Sequence, residues 1–159
     1  MFARSELIEK GIKLGADAQN LEHLRSLARN VEATHKGRIL IADDNPVNTL
    51  IARRALESAG FSVTVAATGR EAVDLSESWS PDLVFMDLRM PIMDGYDAMK
   101  ALRASGMNMP VIAISAEINP EIERRARAAG ADGVAAKPLD ADALRRLAVN
   151  WTHRQSGAA

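Results

Sequence analysis

Five polar side chains follow four short apolar stretches of this 159-residue chain, each at the point where a stretch ends. Asp43 and Asp44 come directly after the first stretch, and Asp87 ends the third. Ser115 follows the fourth stretch and Lys137 follows the fifth. Three carboxylates held within a few ångströms of one another repel, and one or more would take up a proton unless a cation lay among them. The set therefore predicts a metal site if the fold brings these segments together.

The same residue types can also hold a phosphoryl group. Oxygen ligands without cysteine or a suitably placed histidine favour Mg²⁺, which prefers octahedral oxygen coordination and retains several waters. A carboxylate can act as nucleophile while the divalent ion offsets the developing charge. The ammonium of Lys137 and the hydroxyl of Ser115 would bind the remaining oxygens. An acidic pair alone more often caps a turn or a helix, so the inference depends on the whole set.

The segments between these residues predict an α/β fold. From Gly37 onward, short apolar runs alternate five times with amphipathic helical patterns, which is typical of βαβ units and a parallel sheet with helices on both sides. The carboxyl ends of parallel strands share one edge of the sheet, so all five polar residues should lie there. The predicted strands are Arg38–Ala42, Phe61–Ala66, Leu83–Met86, Val111–Ile114 and Gly133–Ala136.

Helix boundaries are marked by capping residues, proline and glycine. Asn45-Pro46 predicts an N-cap and a first helical residue, with Gly60 as the stop, and Pro120 and Gly130 bound a later helix. The last helix should begin after an Asp cap and point an apolar stripe inward. One face of the first helix carries Val47, Leu50, Ile51 and Ala55, Asp94-Gly95 reads as a turn and helix start, and Asp140 precedes the stripe of Leu144, Leu147, Ala148 and Trp151.

Residues 1–36 lack a strand pattern, and we divide the chain into this N-terminal helical extension or linker, a domain over residues 37–153 and a flexible tail over residues 154–159. A helix is predicted from about Asp17 to Thr34, because apolar residues recur near heptad spacing for little more than two heptads. This stripe could dock on the domain, form a homodimer or belong to a longer signalling helix. Its members are Leu14, Leu21, Leu24, Ala28 and Val31.

Composition argues against several classes of partner. The chain has 20 basic and 21 acidic side chains, so its net charge of −1 creates no general attraction to nucleic acid or to an anionic membrane. Neither a membrane-spanning stretch nor a signal-peptide centre is present in the sequence. The absence of cysteine excludes disulfides, thiolate metal sites and cysteine nucleophiles. We therefore expect a cytoplasmic location without nucleic-acid or membrane partners.

Four motifs occur in order between Gly37 and Trp151: ILIADDNPVN, DLVFMDLRMPIMDG, VIAISA and AAKPL. This series resembles the receiver domain of two-component response regulators, and most of all the receivers attached to hybrid histidine kinases. The resemblance implies a doubly wound, flavodoxin-like sheet of five parallel strands in the order 2-1-3-4-5. It also implies a phosphorylatable signalling domain in place of an ordinary enzyme.

The resemblance assigns a role to each site residue. Asp87 matches the phosphoacceptor, Asp44 the acid that ligates Mg²⁺ directly, and Asp43 the acid that usually does so through water. The backbone carbonyl of Arg89 would complete the protein ligands. The remaining matches are Ser115, the switch hydroxyl, and Lys137, which pairs with the phosphoryl group and would precede Pro138 in a cis peptide.

The implied function is phosphoacceptor in two-component signal transduction. Asp87 would take a phosphoryl group from a phosphohistidine on a histidine kinase or histidine phosphotransfer protein, with Mg²⁺, and signal through a conformational change. Such a domain catalyses only its own phosphorylation and dephosphorylation. One position departs from the family: Val134 stands where an aromatic residue usually rotates inward, and valine has one strongly preferred rotamer and little bulk. Another two-state element on the face of the fourth and fifth helices would then carry the signal.

Two alternatives remain. Val134 leaves open a receiver fold that serves as a docking module with little phosphorylation. A Mg²⁺-dependent phosphohydrolase is less well supported, because Asp87-Leu88-Arg89 lacks the second acid of the Asp-x-Asp pattern common in such enzymes. A further hypothesis is that Arg89 and Glu117 meet across the site and shield the acyl phosphate.

Overall fold

The computed structural model describes His23 and residues 36–156, with side chains described as far as residue 153. Strands and helices alternate from residue 38 onward, as the sequence predicted. All of the predicted Asp17–Thr34 helix except His23 lies outside the described residues, so the division of the chain stays a prediction. The elements are β1 (Arg38–Ala42), α1 (Pro46–Ser58), β2 (Ser62–Ala66), α2 (Gly69–Trp79), β3 (Leu83–Asp87), α3 (Gly95–Ala104), β4 (Val111–Ser115), α4 (Pro120–Ala129), β5 (Gly133–Ala136) and α5 (Ala141–Ser156).

The five strands form one parallel sheet in the order β2-β1-β3-β4-β5, which confirms the predicted strand order. Helices α1 and α5 pack on one face of the sheet, and α2, α3 and α4 pack on the other. Successive strand side chains alternate between the two faces, so the central strands β3 and β4 are buried throughout and read as continuous apolar runs.

Strands β3 and β4 are each one residue longer than predicted. Asp87 is the last residue of β3 and pairs in register with Ile114, and Ser115 is the last residue of β4. Strand β2 begins at Ser62, one residue later than predicted. Asp87 and Ser115 therefore belong to the sheet itself, which holds their backbones rigidly.

Helix α1 begins as predicted but buries a different face. The side chain of Asn45 accepts hydrogen bonds from the backbone N–H groups of Val47 and Asn48, and Pro46 is the first helical residue. Of the four apolar residues predicted to share a face, only Ala55 is buried; Val47, Leu50 and Ile51 are 62%, 47% and 52% exposed. The helix packs through smaller residues for the most part, which brings its backbone close to its neighbours. Its buried residues are Thr49, Ala52, Ala55 and Leu56.

The last helix agrees better with its pattern. Asp140 accepts a hydrogen bond from the backbone N–H of Ala143 at 2.7 Å, as an N-cap does. Leu144 and Ala148 are buried, and Leu147 and Trp151 are partly buried against the same core. None of the helices within residues 36–156 combines the length and the hydropathy that a membrane span requires.

Candidate functional site

Three acidic side chains meet at the carboxyl edge of the sheet. Asp43 and Asp44 follow β1, Asp87 ends β3, and one carboxylate oxygen of each lies within 4.8 Å of the others. Asp44 is exposed, whereas the side chain of Asp87 is only 6% exposed. The adjacency of β1 and β3 in the sheet brings these carboxylates together although more than forty residues separate them in the chain.

Lys137 provides a positive charge among the acids. Its Nζ donates a hydrogen bond to Asp87 Oδ2 at 2.7 Å and lies 3.3 Å from Asp43 Oδ2. Burial by itself would lower the pKa of Lys137, but the hydrogen bond and charge of Asp87, together with those of Asp43, outweigh it and raise the pKa above its ordinary value. Lys137 is therefore an ammonium at neutral pH. The peptide between Lys137 and Pro138 is cis, as the resemblance implied.

The charges and donor atoms fit a divalent cation. Three ionised carboxylates and one ammonium leave two net negative charges at the site. The carboxylates already accept hydrogen bonds, from the N–H of Asn45 to Asp43 at 2.9 Å and from the N–H of Arg89 to Asp87 at 3.0 Å. A carboxylate has about four acceptor positions, so each can still bind a cation. An all-oxygen donor set of this charge suits Mg²⁺.

Ser115 lies at the same edge, but its hydroxyl is engaged elsewhere. The Oγ atom donates to the backbone carbonyl of Glu117 at 2.7 Å and accepts from the N–H of Glu117 at 3.3 Å. The backbone carbonyl of Ser115 accepts from the N–H of Lys137 at 2.8 Å, which links the ends of β4 and β5. For the hydroxyl to bind a group on Asp87, it must first leave the Glu117 carbonyl.

Arg89 and Glu117 do not form the expected pair across the site. Both residues are exposed, and the ion pairs within residues 36–153 include none between them. Exposed side chains of this length are well solvated, so nothing in this arrangement holds them together. The shielding hypothesis therefore receives no support from the structure.

Two glycines at helix starts allow close backbone approaches that the sequence pattern did not reveal. A Cβ atom on Gly95 would lie 2.2 Å from the carbonyl oxygen of Asp87, and one on Gly69 would lie 2.3 Å from the carbonyl oxygen of Met93. The Asp94-Gly95 pair also starts α3, as predicted, with Asp94 accepting a hydrogen bond from the N–H of Asp97 at 2.9 Å. The absence of a side chain at Gly95 lets α3 begin directly against the backbone of Asp87.

The five-stranded fold is that of a known signalling family. Residues 39–149 match the model of the response regulator receiver domain. The chain belongs to this family. Receiver domains are phosphoacceptors of two-component systems, so the function class inferred from the motifs is confirmed.

Relatives include receivers within large sensor proteins and a response regulator of similar size. The chain is 40% identical over 121 residues to the sensory/regulatory protein RpfC of Xanthomonas campestris pv. campestris, which covers 71% of this chain but 17% of that protein. It is 37% identical over 111 residues to the two-component response regulator ORR41 of Oryza sativa subsp. japonica, covering 67% of this chain and 87% of that protein. The chain thus spans about a sixth of the sensor protein.

Solved receiver structures share the fold. The receiver domain of the Francisella response regulator 1452 superposes with a TM-score of 0.71 at 30% identity, covering 75% of this chain and 98% of that one. The receiver domain of the sensor histidine kinase PA1611 of Pseudomonas aeruginosa PAO1 superposes with a TM-score of 0.68 at 34% identity, covering 74% and 98%. The latter structure holds a magnesium ion coordinated in its active-site cleft. In this chain, the acidic cluster of Asp43, Asp44 and Asp87 has the ligand atoms for a divalent metal.

Proposed function

We propose that this receiver takes a phosphoryl group from a phosphohistidine onto Asp87, with Mg²⁺ held by Asp43, Asp44, Asp87 and the backbone carbonyl of Arg89. The observation that carries the proposal is the convergence of the three carboxylates within 4.8 Å, with the Lys137 ammonium 2.7 Å from Asp87. This set supplies a nucleophile, a cation site and a fixed positive charge in one place.

The transfer conserves atoms and charge in a simple way. An oxygen of Asp87 attacks the phosphorus in line, the new O–P bond forms, and the N–P bond of the phosphohistidine breaks. The imidazole nitrogen keeps the electron pair and takes up a proton. Mg²⁺, when bound, offsets the charge that develops on the transferred group. The domain in this scheme catalyses only its own phosphorylation and the later hydrolysis of the aspartyl phosphate.

Two residues of the chain then respond to the new group. Lys137 is already hydrogen-bonded to Asp87 Oδ2, so it can follow the charge onto the phosphoryl oxygens with a small movement. Ser115 must exchange its bond to the Glu117 carbonyl for one to a phosphoryl oxygen. That exchange would release the start of the loop between β4 and α4, because the Oγ atom currently holds both backbone groups of Glu117.

A protein donor must reach the buried carboxylate of Asp87, so its surface has to contact the rim of the site. Large apolar side chains are exposed around that rim, on α1 and on the loops that follow β3 and β4. We call them the rim patch. A histidine kinase or histidine phosphotransfer protein with a complementary apolar face would cover this patch while presenting its phosphohistidine. Its members are Val47, Leu50, Ile51, Ile92 and Ile118.

The setting within a larger signalling system is part of the proposal. Similarity to a segment of RpfC supports a place in a hybrid kinase or a phosphorelay. A homodimer through the N-terminal helix, and the division into residues 1–36, 37–153 and 154–159, remain hypotheses. Size measurement in solution with and without residues 1–35 tests the dimer, because loss of that segment should convert a dimer to a monomer.

Incubation with Mg²⁺ and acetyl phosphate, followed by intact mass measurement, tests the central claim. The wild-type protein should gain one phosphate and Asp87→Asn should gain none. Asp74→Asn is the matched control, since Asp74 is an exposed carboxylate on α2 whose ion pair with Arg70 lies at the surface. A phosphate adduct that survives in Asp87→Asn would contradict the assignment of Asp87.

A receiver fold kept as a docking module is the second candidate. The specific observation in its favour is Val134, which packs half-buried against the core on the side of α2, α3 and α4 and cannot act as a large rotating ring. This candidate predicts a folded wild-type protein that gains no phosphate under conditions in which another receiver reacts fully.

A further inference from the structure

Three arginines on α4 differ in their partners. Arg124 forms an ion pair with Glu121, and Arg127 forms one with Glu123 at 3.3 Å. Arg125 has no ion pair with a carboxylate in the described part of the chain. Its guanidinium instead lies over a ring on α3, that of Tyr96, 4.4 Å from the ring centroid.

Arg125 and Tyr96 line an open cleft that borders the acidic site at Asp44. Asp44, the exposed acid of the metal site, lines the same cleft, as do Leu88 and Arg89, the two residues after Asp87. The guanidinium of Arg125 is therefore a cation on the wall of a cleft that it shares with Asp44 and with the two residues after Asp87. The remaining walls of the cleft come from Met90, Pro91 and Asp94.

The balance of forces on Arg125 should change on phosphorylation. An exposed cation–π contact is among the weaker interactions of a guanidinium. A phosphoryl group adds close to two negative charges and three acceptor oxygens, and charge-assisted, bidentate bonds to it are stronger. Arg124 and Arg127 are less available, because each is already neutralised by a glutamate of its own helix.

The carboxylates that line the cleft with Arg125 are engaged elsewhere and do not replace the Tyr96 ring as its partner. Within the cleft these are Asp44 and Asp94. Asp94 is engaged as the N-cap of α3, and Asp44 belongs to the proposed metal site. In the unphosphorylated state, the ring of Tyr96 is thus the partner that remains.

We propose that Arg125 is a phosphoryl-binding residue: it leaves the ring of Tyr96 when Asp87 is phosphorylated and binds the phosphoryl oxygens from the α4 side. This inference rests on the proposed function of Asp87. Because Arg125 belongs to α4, its transfer couples that helix directly to the phosphoryl group. The chain thereby has a moving side chain on α4 although position 134 carries a valine.

The single tyrosine of the chain makes the proposal measurable. Protein labelled with 3-fluorotyrosine gives one ¹⁹F resonance from Tyr96, and beryllium fluoride with Mg²⁺ serves as the phosphoryl mimic. Bound beryllium fluoride has its own ¹⁹F signals, which report whether the site is loaded. On loading, the Tyr96 resonance of the wild type should move toward its position in unloaded Arg125→Gln. In Arg125→Gln it should not move further.

Arg124→Gln is the matched control, because it removes an adjacent arginine of the same helix but leaves the ring contact in place. It should behave as the wild type does. A loaded site with an unmoved Tyr96 resonance, or an equal loss of response in Arg124→Gln, overturns the inference alone. A wild-type site that does not load contradicts the proposed function, and this inference falls with it.

The lifetime of the aspartyl phosphate gives a second readout. Arg125→Gln should shorten it by at least about threefold, since one charge-assisted hydrogen bond to the group is lost. Arg124→Gln should leave it unchanged within error. An unchanged decay rate in Arg125→Gln would show that Arg125 does not bind the phosphoryl group.

Discussion

Asp44, Asp43 and Asp87 repel one another at the carboxyl edge of the sheet, and Lys137 offsets only part of that repulsion. The ammonium contacts Asp87 and Asp43 but not the exposed Asp44. In a metal-free protein the excess negative charge opposes folding, and it is the same excess that attracts a divalent cation. Stability and metal binding should therefore respond in opposite directions to the loss of one acid.

Asp44→Asn tests this opposition. In the presence of a chelator, the variant should have a free energy of unfolding about 1 kcal/mol higher than the wild type, because one repelling charge is gone. Its Mg²⁺ affinity should fall at least about tenfold, the effect that even outer partners of metal ligands have. Urea denaturation and calorimetric titration measure the two quantities. Asp74→Asn should change neither, and a less stable Asp44→Asn would refute the repulsion.

Lys137→Met should have the reverse effect on stability. Without a metal, the variant leaves Asp87 and Asp43 without their cation and should lose about 1–3 kcal/mol, a value reduced from that of a fully buried pair because Lys137 is partly exposed. Mg²⁺ should then raise the melting temperature more in the variant than in the wild type. Lys100→Met, at an exposed position on α3, is the control. If Mg²⁺ raised the melting temperature of Lys137→Met and of the wild type by the same amount, the charge argument would be contradicted.

At the scale of elements, the start of α3 is pressed against the end of β3. Gly95 makes this contact possible, because any Cβ there would meet the carbonyl oxygen of Asp87. The backbone N–H of Gly95 also donates to the carbonyl of Leu88 at 3.2 Å, which closes the loop between strand and helix. The position of the Asp87 backbone thus depends on a helix terminus.

Gly95→Ala should lower the free energy of unfolding by about 1–3 kcal/mol through overpacking and should also slow phosphorylation by acetyl phosphate. Gly106→Ala separates this effect from the cost of backbone strain. Gly106 has a φ of +82° and nothing within 4 Å of an added Cβ, so only about 1–2 kcal/mol of left-handed strain is expected, with a normal phosphorylation rate. Equal phosphorylation rates in the two variants would show that the contact with Asp87 is unimportant.

The opposite edge of the sheet is held by a partly buried guanidinium. Arg103, near the end of α3, donates to the carbonyls of Gly130, Met107 and Met109 and to the carboxylate of Asp132 at 2.9 Å. Asp132 Oδ2 also accepts from the N–H of Val111, the first residue of β4. One side chain therefore ties α3 to the segments that lead into β4 and β5.

Arg103→Ala should lower the free energy of unfolding by about 2–3 kcal/mol, because several backbone carbonyls and Asp132 lose a charged donor. Arg54→Ala, at an exposed position on α1, should change it by less than about 0.5 kcal/mol. Chemical denaturation measures both. Since the network lies away from the acidic site, the amount of phosphate gained by the folded variant should equal that of the wild type, and a loss would link the two edges of the sheet.

At the scale of the whole molecule, the rim patch should affect phosphorylation by a protein donor but not phosphorylation by a small donor. The double variant Val47→Gln, Leu50→Gln removes apolar surface without adding charge. It should reduce the rate of transfer from a histidine phosphotransfer protein at least about tenfold, the loss expected when an apolar interface residue is removed. The rate with acetyl phosphate should stay the same, because both side chains are exposed and lie outside the acidic site.

Ala128→Gln is the control for that experiment, since it places the same side chain at an exposed position on α4, outside the patch. It should leave both rates unchanged. If the double variant slowed acetyl phosphate and protein donor equally, the patch would act on the chemistry of the site and not on docking. Equal transfer rates from the protein donor in the double variant and the wild type would exclude the rim patch as the contact surface.

Local pattern determined much of this fold. The strands β3 and β4 were predictable because both of their faces are buried, so they appear as unbroken apolar runs. Caps such as Asn45 and Asp140 were predictable because they act on backbone groups two or three residues away. The face of α1 was not predictable in this way. Val47, Leu50 and Ile51 lie outside, because the interior is close-packed mainly by smaller residues of the helix together with Leu56.

The sequence by itself thus determined the alternation of strands and helices, the edge at which the acids gather and the residue types that can hold a cation and a phosphoryl group. Tertiary structure alone decided that Lys137 contacts Asp87 and Asp43 and that Arg125 lies over Tyr96. The physical reason is the distance along the chain over which each kind of interaction acts. Hydrogen bonds of caps and the periodicity of burial act over a few neighbouring residues, whereas most of these contacts join side chains far apart in the chain and depend on how whole elements pack.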